Sequence, residues 1–248
     1  MKKIANYIQE KLNLSKYTCK PKDKDELRKI IKKRLEKDKD ANLNDIDVSD
    51  ITDMNALFYS LDPYNIDLSE WDVSNVKDMH AMFYNCVNFN CDISEWDVSN
   101  VTYMDSMFSN CKKFDSDLSD WDVSNVISMG QMFYECKNFN SDINGWNVSN
   151  VGNMNHMFAY CDNFNSDLSN WDVSSVKNIS YMFCGCENFN SDLSSWDVSS
   201  VKYIDKMFFG CIRFNCDLSN WNVSKVEDMY GVFDGCTSLK NKPNWYKA

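Results

Sequence analysis

Along most of this chain the apolar positions recur in one fixed order. In the stretch 66–90 they are Leu68, Trp71, Val73, Val76, Met79, Met82, Phe83, Cys86 and Phe89, with polar residues at nearly every position between. The same order returns every 25 residues without insertion, marked by Trp71, Trp96, Trp121, Trp146, Trp171, Trp196 and Trp221. A period of this length is the signature of stacked supersecondary units that cannot bury their apolar faces alone. The spacing changes within each unit. Leu68, Trp71 and Val73 follow L-x-x-L-x-L, and the Trp-Asp-Val part alternates as a short half-buried strand does. Val76, Met79, Met82, Phe83 and Cys86 then recur at three- and four-residue steps, which predicts about three helical turns with one buried stripe, N-capped by Ser74 or Asn75. The predicted fold class is α/β: a solenoid with a parallel sheet on one face and short helices on the other.

Eight units follow from this register: 41–65, 66–90, 91–115, 116–140, 141–165, 166–190, 191–215 and 216–240, with 241–248 as a partial ninth. The first departs from the pattern, with Ile46 for Trp, Leu57 for Met and Tyr64 for Phe; the last has Val232 and Leu239 in core slots. Atypical end units are expected of an array. Residues 1–40 lie outside the repeat. Ile4, Ile8 and Leu12 suggest a short amphipathic helix. After Lys20-Pro21, acidic residues from Asp23 to Glu26 open a second helix whose apolar face is Leu27, Ile30, Ile31 and Leu35, with Lys and Arg in its later turns. An open array end exposes apolar side chains and unpaired edges, so residues 1–40 read as a helical N-terminal cap.

The string Phe-Asn-x-Asp-Leu-Ser-x-Trp-Asp-Val-Ser-x-Val-x-x-Met-x-x-Met-Phe-x-x-Cys resembles the 25/26-residue repeat of BspA-like bacterial surface proteins, a divergent branch of the leucine-rich repeats. The resemblance covers about residues 20–240, and Lys20-Pro-Lys-Asp-Lys-Asp-Glu-Leu27 is similar to the segment that often precedes the first repeat. It implies a right-handed leucine-rich-repeat-type solenoid with the sheet on its inner face, and roles in adhesion or protein binding. The polar residue of the leucine-rich consensus falls one place early here, at Asn75.

Charge divides the chain in two. The net charge is −11, but residues 1–40 carry 14 Lys/Arg against 7 Asp/Glu, net +7, and residues 41–248 carry 12 against 30, net −18. An acidic body disfavours nonspecific binding to nucleic acid or anionic membranes. Met1-Lys-Lys-Ile-Ala-Asn-Tyr-Ile-Gln-Glu lacks the apolar core of a secretory signal, and no run approaches a membrane span, so a cytoplasmic location is expected, with the cell surface as what the resemblance implies. Seven of the eleven cysteines are periodic (Cys86, Cys111, Cys136, Cys161, Cys186, Cys211, Cys236), and Leu61 holds their place in the first unit. An odd count without a signal argues for reduced thiols, and leucine as the substitute argues for a small apolar filler.

If Trp71 and Val73 face inward, residues 70, 72 and 74 form outward columns. The 72 column reads Asp47, Asp72, Asp97, Asp122, Asn147, Asp172, Asp197, Asn222; the 70 column is Asp45, Glu70, Glu95, Asp120, Gly145, Asn170, Ser195, Asn220; the 74 column is all serine. Another acidic column runs from Asp67 to Asp217. Carboxylates on adjacent rungs about 4.8 Å apart repel by about 1 kcal/mol in water and more near a protein surface. They are therefore solvated, bonded to backbone N–H groups, or neutralised by a ligand. One reading has the Asp67-type residues binding turn amides and the Ser74-type residues capping helices. The other is an acidic strip awaiting a basic protein partner, with Glu70, Asp72, Glu95, Asp97, Asp120, Asp122, Asn170, Asp172 and Asp197 as candidate contacts. A calcium ladder is a third, without a known loop spacing. The Asn90 column reads as an amide ladder. Tyr84, Tyr134 and Phe209, set opposite the apolar stripe, offer a second contact patch.

Chemistry beyond binding has little to work with. His80 and His156 are the two histidines, the Ser and Asp of the outward columns are repeated rather than unique, and Cys184-Gly-Cys186 lacks zinc-site spacing. No glycine-rich phosphate loop is present. The expectation is a monomeric, non-enzymatic interaction scaffold with no cofactor and no metal. The alternatives are a cell-surface adhesin and a cation-stabilised structural module.

Overall fold

The computed structural model describes residues 16–246. The helix expected around Ile4, Ile8 and Leu12 lies outside them. Helix α1 (Lys24–Leu35) is where the sequence places it. Asp23 caps it by accepting from the Glu26 N–H, Asp25 and Glu26 occupy the first turn, and Lys32, Lys33 and Arg34 the last. Leu27, Ile31 and Leu35 are buried against the first unit and join the main core.

The rest corrects the expected architecture. Among the described residues there is no second bounded helix and no multi-residue strand, so the chain is not an α/β solenoid with a parallel sheet and outer helices. Each 25-residue unit is a run of tight turns. Parallel pairing among the described residues is limited to isolated bridges. Seven of the nine fall where helix was expected, along Asp53, Asp78, Tyr103, Ser128, Asn153, Asn178, Tyr203 and Asp228, each pairing with the next; the other two are Cys19 with Ile46 and Asn42 with Asp67. The Trp-Asp-Val segment makes turn bonds instead, such as Trp71 N–H to Leu68 O and Val76 N–H to Val73 O.

The physical reason lies in where the N–H groups go. In a helix, Met79, Ala81, Phe83 and Asn85 would donate to carbonyls four residues back. Here they donate to Tyr103, Asp105, Met107 and Ser109, in the next unit. Within the unit only three-residue closures remain: Met82 to Met79, Cys86 to Phe83, Phe89 to Cys86. Left-handed residues at two positions per unit, such as Ala81 (φ 51) with Asn85 (φ 59) and His156 (φ 55) with Tyr160 (φ 61), interrupt any helix. An apolar residue at every third or fourth place fits a chain of such turns as well as it fits a helix. The second position passes to glycine toward the C-terminal end, at Gly185, Gly210 and Gly235, where φ is +71 to +80 and no Cβ resists it.

The interior is made of side-chain columns. Indole rings stack nearly parallel, 6.5 Å apart for Trp71 and Trp96 and 6.4 Å for Trp146 and Trp171, and the tryptophans of the repeat are only 3–4% exposed. Phenylalanines form two further stacks, with 5.7 Å between Phe108 and Phe133 and 6.1 Å between Phe114 and Phe139. Polar atoms on these apolar residues also tie the units. Each indole N–H donates to a backbone carbonyl 28 residues back, as Trp146 does to Leu118 at 2.9 Å and Trp171 to Ile143 at 2.9 Å. Each periodic thiol does the same, as Cys161 to Phe133 O at 2.8 Å and Cys186 to Phe158 O at 2.8 Å. Cysteine is thus a donor as well as a filler. This explains the first unit: Ile46 and Leu61 stand where no repeat unit precedes to accept from an indole or a thiol.

Candidate functional site

The outward columns are built by a local device. Asp72 Oδ1 accepts from the Ser74 N–H at 3.1 Å and its hydroxyl at 2.6 Å. Asp97 does the same with Ser99, and the N–H groups of Ser124, Ser174 and Ser199 donate to Asp122, Asp172 and Asp197. These are Asx turns, in which a side-chain oxygen replaces a backbone acceptor. Asp67 holds Ser69 identically, and Asp192 and Asp217 hold Ser194 and Ser219. The turn-amide reading of the Asp67 column therefore extends to the Asp72 column. The helix-capping reading of Ser74 falls with the helix: the serine serves the aspartate two residues before it. A third such turn, from Asp78 to the N–H of His80, was not read from sequence.

The turns orient the carboxylates and acidify them. Donation from the serine hydroxyl, and then from its N–H, holds Asp122, Asp172 and Asp197 below the ordinary carboxylate range. All nine candidate contacts are exposed. Glu70 is ion-paired with Lys16. Glu95 and Asp120 meet Asp92, Asp115 and Asp117 around one open depression between the units. The Asn170 N–H donates to Asn144 Oδ1 at 3.1 Å, a structural bond. Among the described residues no group of His, Cys, Asp and Glu is arranged to hold a metal ion.

Sequence reasoning missed where the basic head goes. Lys20 pairs with Asp47 at 3.1 Å and Asp50 at 2.7 Å, Lys24 with Asp53 at 2.7 Å, and Arg34 with Asp45 through Nη2 at 2.9 Å. With Lys16 on Glu70, the first rungs of the acidic columns are occupied by the chain's own cations. The signal was the +7 against −18 division, which does not say that the two halves meet. Arg28 is the other cap residue not foreseen. Its guanidinium donates to the carbonyls of Ala56, Leu57 and Tyr59.

The Asn90 column is a ladder of a specific kind: Asn140 Oδ1 accepts from the Asn165 N–H at 2.8 Å, and Asn165 Oδ1 from Asn190 at 2.7 Å. The expected aromatic patch is not a single column. Ser109, Ala159 and Cys184 are buried, Tyr84 and Tyr134 half-buried, and Phe209 exposed. Other aromatics collect near the left-handed positions instead, with His156 stacked on Tyr181 at 4.4 Å. His156 is half-buried, and burial lowers its pKa against a smaller opposing pull from Asp205. Burial pushes the thiols of Cys86 and Cys236 up to about 12, so at neutral pH they stay protonated and poorly nucleophilic.

No helix of the described residues is long and apolar enough to cross a membrane. No curated protein matches the chain. Among solved structures, a leucine-rich repeat protein from Bacteroides ovatus aligns over 77% of this chain and 69% of its own, at 15% identity and a TM-score of 0.31, a slight likeness. A family model described as "Mycoplasma protein of unknown function, DUF285" matches twice, over residues 26–146 and 128–246, starting inside α1 and running through the last described residue. The BspA-like repeat read from Phe-Asn-x-Asp-Leu-Ser-x-Trp agrees with that match, and the chain belongs to the DUF285 family.

Proposed function

We propose that this protein is a non-enzymatic interaction scaffold whose acidic columns receive the basic surface of a protein partner. The observation that carries the reading is internal to the molecule. Lys16, Lys20 and Arg34 already sit on Glu70, Asp47 and Asp45, the N-terminal rungs of the same columns. Further along, Asp72, Asp97, Asp122, Asp172 and Asp197 each commit Oδ1 to a serine and point exposed into solvent, with Glu95 and Asp120 beside them. Rows of oriented carboxylates attract cationic side chains, steer their approach and fix register more than they add raw affinity. Bonded thiols along the core suit a compartment that keeps them reduced, and their raised pKa values suit a protein without nucleophilic chemistry.

The column itself supplies the test variant. Asn147 makes the same turn, accepting from the Ser149 N–H at 3.2 Å and its hydroxyl at 2.7 Å, so Asp→Asn removes charge and keeps geometry. The triple variant Asp72→Asn, Asp97→Asn, Asp122→Asn is expected to bind a lysine-rich octapeptide about tenfold more weakly at low salt, at ~0.5 kcal/mol per lost pair. Calorimetric titration measures it. Equal affinity of variant and parent, with unchanged melting temperature, would sink the assignment of this face.

A further inference from the structure

One dipeptide breaks the pattern of the acidic face. Where six units carry serine (Ser69, Ser94, Ser119, Ser169, Ser194 and Ser219), the unit 141–165 carries Asn144. Gly145 follows it, where other units have Glu70, Glu95 or Asp120, and the pair is the one Asn-Gly of the chain. Ser69 and Ser94 turn their hydroxyls back onto Asp67 and Asp92. Asn144 reaches into the next unit instead. Its Nδ2 donates to Asp167 Oδ2 at 3.1 Å, and its Oδ1 accepts from the Asn170 N–H at 3.1 Å. Gly145 is exposed, a Cβ on it would meet nothing within 4 Å, and its N–H has no acceptor among the described residues.

An uncrowded, unbonded backbone nitrogen one residue after a side-chain amide can attack that amide. Other exposed asparagines lack the arrangement. Asn75, Asn100, Asn125 and Asn150 are each followed by a valine, whose branched side chain crowds the nitrogen and whose N–H is held. Val76 donates to Val73 O and Val101 to Val98 O, both at 2.9 Å. Asn44 makes the same bond into the next unit as Asn144, accepting from the Glu70 N–H, but it is buried and followed by Asp45. We propose that Asn144 is a site of spontaneous deamidation, held back by its bond to Asp167 and released when the seam between units 141–165 and 166–190 opens. The Gly145 nitrogen bonds to Cγ of Asn144, the Cγ–Nδ2 bond breaks, and Nδ2 leaves as ammonia with the Gly145 proton. Water then opens the cyclic imide at one of its two carbonyls. Attack at Cγ gives aspartate; attack at the main-chain carbonyl gives isoaspartate, with the backbone rerouted through Cγ. Either product sets a carboxylate where an amide donated to Asp167, so attraction across the seam becomes repulsion. The new charge falls in a unit whose outward columns are uncharged, at Gly145 and Asn147.

Peptide mass analysis of the full chain, kept folded in mildly alkaline buffer, tests this independently of any partner. Asn144 is expected to convert at least about tenfold faster than Asn75, Asn100, Asn125 or Asn150, where the following N–H must first be freed by local opening. Asp167→Ala, which removes the acceptor, is expected to speed conversion of Asn144 about fivefold, the factor that one hydrogen bond's net worth sets, and to leave Asn75 unchanged. Gly145→Glu, the residue that two other units carry there, is expected to slow Asn144 to the rate of the valine-flanked four. An Asn144 that stays intact in the folded chain over an interval that converts it in urea overturns the proposal, as does conversion no faster than at those four. Asp167→Ala converting at the parent rate, or accelerating Asn75 equally, refutes the gate.

Discussion

The two ends of the molecule solve the same problem unequally. At the N-terminal end α1 supplies both apolar cover, through Leu27, Ile31 and Leu35, and polar cover, through Arg28 on backbone carbonyls and three cap cations on aspartates. At the C-terminal end Val223, Val226, Met229, Cys236 and Leu239 are only half-buried, whereas Val198, Val201, Ile204 and Cys211, one unit earlier, are fully sealed. Trp245 continues the indole stack at 6.2 Å from Trp221, donates to Leu218 O at 2.8 Å and with Tyr246 covers the Phe233 ring, but the N–H groups of Met229, Gly231, Phe233 and Gly235 have no backbone acceptor among the described residues. The comparison separates two requirements of an end cap. Burying the terminal side chains needs one amphipathic helix; satisfying a one-sided row of backbone groups needs a side chain of the opposite polarity. Arginine meets the second need at the acceptor end. The donor end would need carbonyls or carboxylates in the same columns.

Breaking the middle against breaking an end gives the largest expected contrast. Trp146→Ala removes a buried indole stacked on Trp171, takes one of two donors from the Leu118 carbonyl and opens a cavity, so a loss of about 3–5 kcal/mol is expected. Trp245→Ala, at a half-buried site with one indole neighbour, is expected to cost less than half of that. Urea unfolding followed by circular dichroism checks the order, and equal losses would contradict a stack that tightens toward its centre.

Next in size is the cap itself. Arg28→Ala strips charged donors from the carbonyls of Leu57 and Tyr59, which have no other partner among the described residues, an effect of about 1.5–3 kcal/mol felt first in the opening unit. Exchange at Ile46, Val48 and Ile51 is the readout, while Lys242→Ala at the far end is expected to leave its unit unchanged. Smaller again is Cys161→Ala, which leaves Phe133 O without its thiol donor inside a closed core, for about 1–3 kcal/mol. Cys236→Ala, half-buried, is expected to cost less. Thermal melts of the two variants measure the difference.

The smallest effect per residue comes from pH. The folded-state pKa values of Asp122, Asp172 and Asp197 are depressed by their serine donors, so these groups add stability above the unfolded carboxylate pKa and lose it as pH falls through the lower folded value. Melting temperature is expected to decline from about pH 4 downward. The variant Asp122→Asn, Asp172→Asn, Asp197→Asn flattens that decline, as Asn147 cannot titrate. A decline of the same steepness in this variant would place the acid sensitivity elsewhere, with the capping pair Arg34 and Asp45 as the next place to look.

Much of the burial was legible. The 25-residue spacing of Trp, Phe and Cys picked out the core columns, and Asp23 with Lys32, Lys33 and Arg34 bracketed α1. The exposed acidic columns were legible for the same reason, since alternation places residue 72 outside when 71 and 73 are inside. The misreadings share one cause. Val76, Met79, Met82, Phe83 and Cys86 were read for a helix and Cys86 for a filler, and partners from another unit decided both; Ser74, read for the helix cap, lost that role with the helix and serves Asp72 instead. Ala81 carries no local mark of a left-handed backbone, because its φ is set by the need to aim N–H groups at the next unit; the column of Asn85, Asn110, Gly185, Gly210 and Gly235 did carry one, in residue types that adopt positive φ readily.

By itself, then, the amino-acid order determined which side chains leave water: transfer of apolar surface depends on residue type and spacing, and both are written along the chain. Tertiary structure alone decided where the backbone hydrogen bonds run. An N–H that meets a carbonyl 24 residues later, or an indole that meets one 28 residues earlier, has its partner beyond any local window. A three-to-four-residue apolar rhythm is compatible with either destination, and stacking of the neighbouring unit made the choice.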